Sequence, residues 1–329
     1  MDAIVVIGAS QGGVLALRQL VHELPADFPA PVVIVLHIGQ SSSLLPAILN
    51  NLGPLRASHV ENGEALRPGH IHVAPPDRHI LILDGRMALS RGPRENWARP
   101  AIDPLFRTAA EAYGENAIGV ILTGQLNDGT AGLFEIKRRG GVTIVQDPAE
   151  AEAPSMPSSA MENVAVDYVL PISDIAAQLV RLVEEKSRQA AVVGKPVARS
   201  AIEMETRRLQ APTAQTCPEC GGAMREEIFG TMKSFRCHIG HTMSAEVLAL
   251  AQVYALEKDL DTVVRSLNER AALCRDVAAQ RDAKGRAKER DRWLAAADQA
   301  LEYEAGLWKL AEIDWINPEA PAAPTLEVA

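Results

Sequence analysis

The chain has 329 residues, which at roughly 150 residues per domain suggests about two domains. Hydrophobic residues make up 47% and charged residues 23%, which excludes a wholly disordered chain. A net charge of −9 argues against a general nucleic-acid binder, which needs basic surface for phosphates.

The chain opens Met1-Asp2-Ala3-Ile4 with no basic stretch ahead of its first apolar run, so no secretory signal is expected. No apolar run approaches the ~20 residues of a membrane helix. A soluble cytoplasmic protein without membrane insertion is the expectation. Up to about residue 185, short apolar runs alternate with helical patterns. Ile4–Ile7, Val32–Leu36, Ile71–Val73, Ile80–Leu83, Ile118–Leu122, Thr143–Val145 and Tyr168–Leu170 read as strands. Leu15–Glu23, Ser43–Asn50, Pro104–Tyr113 and Ile175–Glu185 read as helices. This alternation predicts an α/β fold: a doubly wound, mostly parallel sheet with helices on both faces. Strands apolar at consecutive positions, such as Val32–Leu36, fit burial on both sides.

Residues 187–215 lose periodicity and read as a linker after a domain spanning 1–186. A Cys/His module follows at 216–245, then a helical hairpin at 246–316 and a loose Ala/Pro-rich tail at 317–329. In the hairpin, Leu248, Val253, Leu256, Leu260, Val263, Leu267 and Ala271 face a second helix. That helix carries Trp293, Leu294, Ala297, Leu301, Leu307, Trp308 and Ile313, with a turn near Lys284-Gly285-Arg286. Packing and homodimerisation are the roles expected of this pair.

Gly8-Ala9-Ser10-Gln11-Gly12-Gly13 closes strand one and opens a helix. The Gly-x-Ser-x-Gly spacing matches a nucleophile elbow, whose glycines allow the sharp turn that presents the serine. Amides at the helix start can stabilise an oxyanion. A Gly-rich turn here could also cradle a phosphate, but Ser10 replaces the middle glycine of a dinucleotide fingerprint, and His37 stands where a ribose-binding acid would end strand two. His37 follows the second strand and Asp128 follows the strand at 118–122. Parallel strands share one carboxyl edge, so Ser10, His37 and Asp128 can converge as nucleophile, general base and orienting acid. His70 and His72 share a strand face and would supply at most half a metal site. His79 and Asp77 read as structural turn residues, and Arg94 and Arg99 as a solvated loop around Trp97.

Cys217-Pro-Glu-Cys220 is a C-x₂-C knuckle, followed by Cys237 and His238-Ile-Gly-His241. Three thiolates and an imidazole suit a closed tetrahedral structural zinc shell. Gly240 favours His241 over His238 as fourth ligand, and Cys274 reads as a buried apolar residue.

Residues 1 to about 185 resemble the catalytic domain of the chemotaxis protein-glutamate methylesterase family. The resemblance rests on segments 7–13, 35–37, 67–79, 99–107, 122–129, 146–148 and 155–161, in that order and spacing. It implies a Ser-His-Asp hydrolase of glutamate methyl esters on chemoreceptors that releases methanol, with room for glutamine deamidation. It carries over Ser10, His37 and Asp128 as the catalytic residues and calls for no catalytic cofactor. The receiver domain common in the family is not expected before a strand that starts at Ile4. Gln11 stands where a Thr is common, and Gln125-Leu126 where Met-Gly is usual. Gln11, Gly12 and Gln125 are therefore the expected oxyanion and pocket-wall residues. The rival reading is a non-catalytic regulatory protein that keeps the methylesterase fold.

Overall fold

The computed structural model describes residues 3–37, 43–193 and 212–311. It divides into two compact units, Met1–Val247 and Leu248–Ala329.

The first unit opens with β1 (Ile4–Ala9), α1 (Gly13–Glu23), β2 (Val32–Leu36) and α2 (Leu45–Asn50). Five short strands follow: β3 (Arg56–His59), β4 (Glu64–Ala65), β5 (His70–Val73), β6 (His79–Leu83) and β7 (Arg86–Ser90). The alternation resumes with α3 (Ile102–Tyr113), β8 (Ala117–Ile121), α4 (Thr130–Arg138) and β9 (Val142–Gln146). It ends with α5 (Ser155–Asn163), β10 (Tyr168–Leu170) and α6 (Ile172–Val193).

Seven strands pair in the order β10-β9-β8-β1-β2-β5-β3, every pairing parallel. Both faces are covered, which is why β1, β2 and β8 are apolar throughout. Val5, Ile7 and Ile34 pack with α1, α2 and α6 on one face; Ile4, Val6, Val33 and Val35 pack with α3, α4 and α5 on the other. The chain runs outward from β1 through β2, then returns to its other side at β8. The topological switch point therefore lies at β1, where the strand ends open a crevice.

Ile80–Leu83, expected in the main sheet, instead forms β6 of a separate antiparallel sheet ordered β4-β7-β6. The cause is local. Asp84 and Gly85 have φ of 50° and 73°, the paired left-handed conformation of a tight hairpin turn, which folds β7 straight back.

The Cys/His segment lies in the first unit as three antiparallel strands: β11 (Met224–Phe229), β12 (Met232–Cys237) and β13 (Thr242–Ser244). Most of the expected linker, residues 194–211, lies outside the described residues, as do Ile313 and the tail.

The second unit holds α7 (Ala245–Asp282) from Leu248 onward and α8 (Ala287–Ala311), which flank a turn at Gly285. The antiparallel pair closes on small residues: Ala271, Cys274, Ala297 and Ala300 are buried, with Leu267, Ala296 and Leu301 packed around them. The expected seam is thus only partly used. Leu256, Val263, Trp293, Leu294 and Trp308 are exposed, outside the small-residue contact. Among the described residues, no helix is long and apolar enough to cross a membrane.

Candidate active site

Three strand ends deliver three side chains. Ser10 follows β1, His37 follows β2, and Asp128 lies beyond β8 in the loop leading to α4. Backbone hydrogen bonds pin these ends together: Ser10 N donates to Thr123 O (3.0 Å), and His37 N donates to Ala9 O (3.2 Å). Gly12 precedes α1 with φ of 75°, and a Cβ there would lie 2.7 Å from that of Glu152. A Cβ on Gly124 would lie 2.9 Å from that of Ser10. Both glycines leave the space in which Ser10 turns outward.

The Ser10 hydroxyl lies 3.2 Å from Nδ1 of His37, and Nε2 of the same ring lies 2.8 Å from Oδ2 of Asp128. Asp128 is buried. Its Oδ2 also accepts from Ile102 N (2.6 Å), and its Oδ1 accepts from Asp103 N (3.3 Å) and Asn96 Nδ2 (3.0 Å). Ile102 and Asp103 begin α3, so the carboxylate caps that helix and meets its positive end. Burial opposes the charge on Asp128, but hydrogen bonds from His37, Ile102 and Asn96 outweigh it and hold its pKa below the ordinary value. The neighbouring Asp103 behaves oppositely. Burial first, then the charge on Asp128, push its carboxyl well above the usual range. Asn96 joins the two acids, its Nδ2 donating also to Asp103 Oδ2 (2.9 Å).

His37 opens onto a cleft of about 530 Å³ lined by Asp77 and the loop from Arg94 to Pro100. Arg99 pairs with Asp77 (2.7 Å), and Arg94 with Glu219 of the ribbon (3.4 Å). Gln11 is exposed beside Ser10, and its carbonyl accepts from Thr123 Oγ1 (3.0 Å). Gln125 is exposed, its Oε1 accepting from Ser155 Oγ (3.2 Å).

Among the described residues, His70, His72 and His79 do not assemble a metal centre. His70 and His72 do share a face, with ring centroids 4.7 Å apart. But His70 bonds Ser58 Oγ and Arg67, and His72 accepts from Arg67 N. His79 bridges Pro93 O and Ala101 N, a structural role.

The ribbon brings Cys217, Cys220, Cys237 and His241 together, with their ligand atoms all within 4.8 Å of one another. His238 is exposed, and its ring packs over Gly222, so the cluster selects His241. Cys274 lies apart, buried in the helix pair. Sequence reasoning missed Asn96 and Asp103. Asn96 stands in a loop without periodicity, and Asp103 falls just ahead of the helix expected at Pro104–Tyr113, where no pattern marks it. Asn96 and Trp97 both have positive φ (47° and 65°), a cue only the backbone reveals.

A hydroxyl, an imidazole and a buried carboxylate in hydrogen-bonded series, at the carboxyl edge of a parallel sheet, form the constellation of serine hydrolases. The CheB methylesterase family model matches residues 5–179. The chain belongs to that family. It is 44% identical over 187 residues to a provisionally named protein-glutamate methylesterase/protein-glutamine glutaminase of Leptospira interrogans, covering 56% of this chain and 97% of that one. It is 41% identical over 177 residues to protein-glutamate methylesterase/protein-glutamine glutaminase 2 of Anaeromyxobacter dehalogenans, covering 54% of this chain. The chain spans 52% of that relative's length. The crystal structure of the Thermotoga maritima CheB methylesterase catalytic domain superposes with a TM-score of 0.54 at 37% identity, covering 55% of this chain and 99% of that domain.

Proposed function

We propose that this chain hydrolyses methyl esters of glutamate side chains on chemoreceptor-like proteins by a two-step acyl transfer through Ser10. The observation that carries this reading is the Ser10–His37–Asp128 hydrogen-bonded series at the sheet's switch point. Nδ1 of His37 takes the hydroxyl proton as Ser10 Oγ attacks the ester carbonyl. The tetrahedral oxyanion faces the backbone at the start of α1, where Gln11 and Gly12 supply amides; Gln125 forms the facing pocket wall. The intermediate collapses, and methanol leaves with the proton from His37. Water then attacks the acyl-enzyme, His37 again taking a proton, and the glutamate carboxylate leaves as Ser10 is restored. Asp128 fixes the tautomer with a proton on Nε2 and stabilises the imidazolium. The same site would deamidate glutamine, with ammonia leaving in place of methanol.

The test is methanol release from a methylated chemoreceptor fragment. Ser10→Ala should abolish release and fluorophosphonate labelling. Labelling without release would mean a serine hydrolase with another substrate. Neither would favour the regulatory, non-catalytic reading.

The Cys217, Cys220, Cys237 and His241 cluster suits a structural zinc: its shell is complete without a water position. Unpaired thiols fit a reducing cytoplasmic setting. The exposed apolar residues of the helix pair support a homodimer through α7 and α8.

A further inference from the structure

We propose that the Cys/His ribbon is a metal-dependent clamp on the catalytic acid, with Asn96 as the positioning residue through which it acts. This goes beyond the esterase reading, because it assigns the ribbon a role in the chemistry.

Asn96 sits between the ribbon and the acid, and its polar groups are divided between them. Its backbone N donates to Thr242 O (2.8 Å), and its Oδ1 accepts from Ser244 N (3.2 Å). The two hydrogens on its Nδ2 go to Asp128 Oδ1 and Asp103 Oδ2. Glu95 bridges Thr242 in parallel register, and Thr242 N returns a bond to Arg94 O (3.3 Å). β13 thus extends across the 94–96 loop as an added strand. This contact holds Asn96 at positive φ, which a non-glycine residue adopts only when its surroundings enforce it. A second contact reaches the acid's chain neighbour. Asn127, the residue before Asp128, donates to Ser244 Oγ and Glu246 Oε2, both at 2.9 Å.

The metal cluster controls where β13 lies. Cys237 ends β12, and His241 immediately precedes β13. A shared ion would fix both ends of the turn between them, which otherwise closes through Cys237 N to His241 O and Gly240 N to Cys237 O, with Gly240 at φ of 109°. A three-stranded ribbon has too small a core to hold itself, and metal binding there is folding energy. Losing the ion therefore loosens Thr242 and Ser244, and with them Asn96. A displacement of about 1 Å in a group that orders the reacting atoms can lower a rate by about 100-fold.

The experiment uses the full chain loaded with zinc, and compares it with chain stripped by a chelator and with zinc-loaded Asn96→Ala. Zinc content, the rate of fluorophosphonate labelling at Ser10, and the downfield NMR resonance of the proton between His37 and Asp128 are followed together. Stripping should slow labelling about ten- to 100-fold and shift or broaden that resonance. Asn96→Ala should do the same with zinc bound, and stripping that variant should add less than about twofold, because the two lesions break one link. Equal losses on stripping in both backgrounds, no loss in wild type, or a chain that takes up no zinc would overturn the proposal. If stripping melts the catalytic domain, zinc-loaded Asn96→Ala still decides: an unchanged resonance there overturns it. If wild type never labels, the esterase reading falls, while the resonance still tests the clamp.

Discussion

His37 presents Nε2 to Asp128 at 2.8 Å and Nδ1 to Ser10 at 3.2 Å, the reverse of the chymotrypsin-type triad, where Nε2 faces the serine. The reversal follows from the fold: His37 leaves β2 beside β1, with its ring lying between the Ser10 turn and the α3 end that Asp128 caps. The order of hydrogen-bonded partners is the same; only the ring edge differs.

Asp128→Asn should lower kcat by about 10⁴ with little change in KM, since an amide can offer its NH₂ to Nε2 and so impose the wrong tautomer. It should also destabilise the protein by about 1–3 kcal/mol. One oxygen cannot serve both amides of α3 and Asn96 as the carboxylate does. Steady-state kinetics and urea unfolding measure the two effects. A kinetic loss below tenfold would remove Asp128 from the relay.

Gly12→Ala should slow Ser10 labelling and lower stability by about 1 kcal/mol or more. The new Cβ meets Glu152 at 2.7 Å on a backbone that alanine disfavours. Labelling and a thermal melt of wild type and variant test this; unchanged values in both would show that the turn tolerates a side chain.

His72 is fully buried, and burial, aided by the charge of His70, lowers its pKa to about 4. In the unfolded chain the imidazole keeps its ordinary value of 6.5 and binds that proton more readily, so stability is full above about 6.5 and falls as pH drops toward about 4. Wild type should lose about 2–3 kcal/mol more than His72→Gln across this window. Urea unfolding from pH 7 to 4 gives the difference, and parallel curves would contradict the assignment.

Ala297→Leu should destabilise the helix pair by about 1–3 kcal/mol, because Ala297 is fully buried against Cys274 and Ala300. Trp308→Asp, outside that seam, should leave the pair folded and convert a dimer to a monomer in sedimentation velocity. A wild type that sediments as a monomer ends the dimer assignment.

The convergence of Ser10, His37 and Asp128 was legible because each follows an apolar run that can only be a central strand, and parallel strands share their carboxyl edge. Helices α4 and α5 were not. Gly132 interrupts the apolar repeat of α4, and Ser155-Met-Pro-Ser-Ser-Ala buries little beyond Met156, Pro157 and Ala160. β3, with the sequence Arg-Ala-Ser-His, is an edge strand with one buried residue and no alternation to detect. The β6–β7 hairpin did carry a signal in Asp84-Gly85, between two apolar runs. Asn96 carried none, because its importance lies in partners at 103, 128 and 242–244.

Thr242 and Ser244 grip a loop made nearly 150 residues earlier. A chain emerging from the ribosome completes its parallel sheet with β10 and α6, then must add about 50 more residues before the ribbon exists. At synthesis rates of about 5–20 residues per second, that interval is several seconds. For that time Asp128 has His37 and α3 as partners but lacks the anchored Asn96, so the nascent sheet is folded before its acid is fully held.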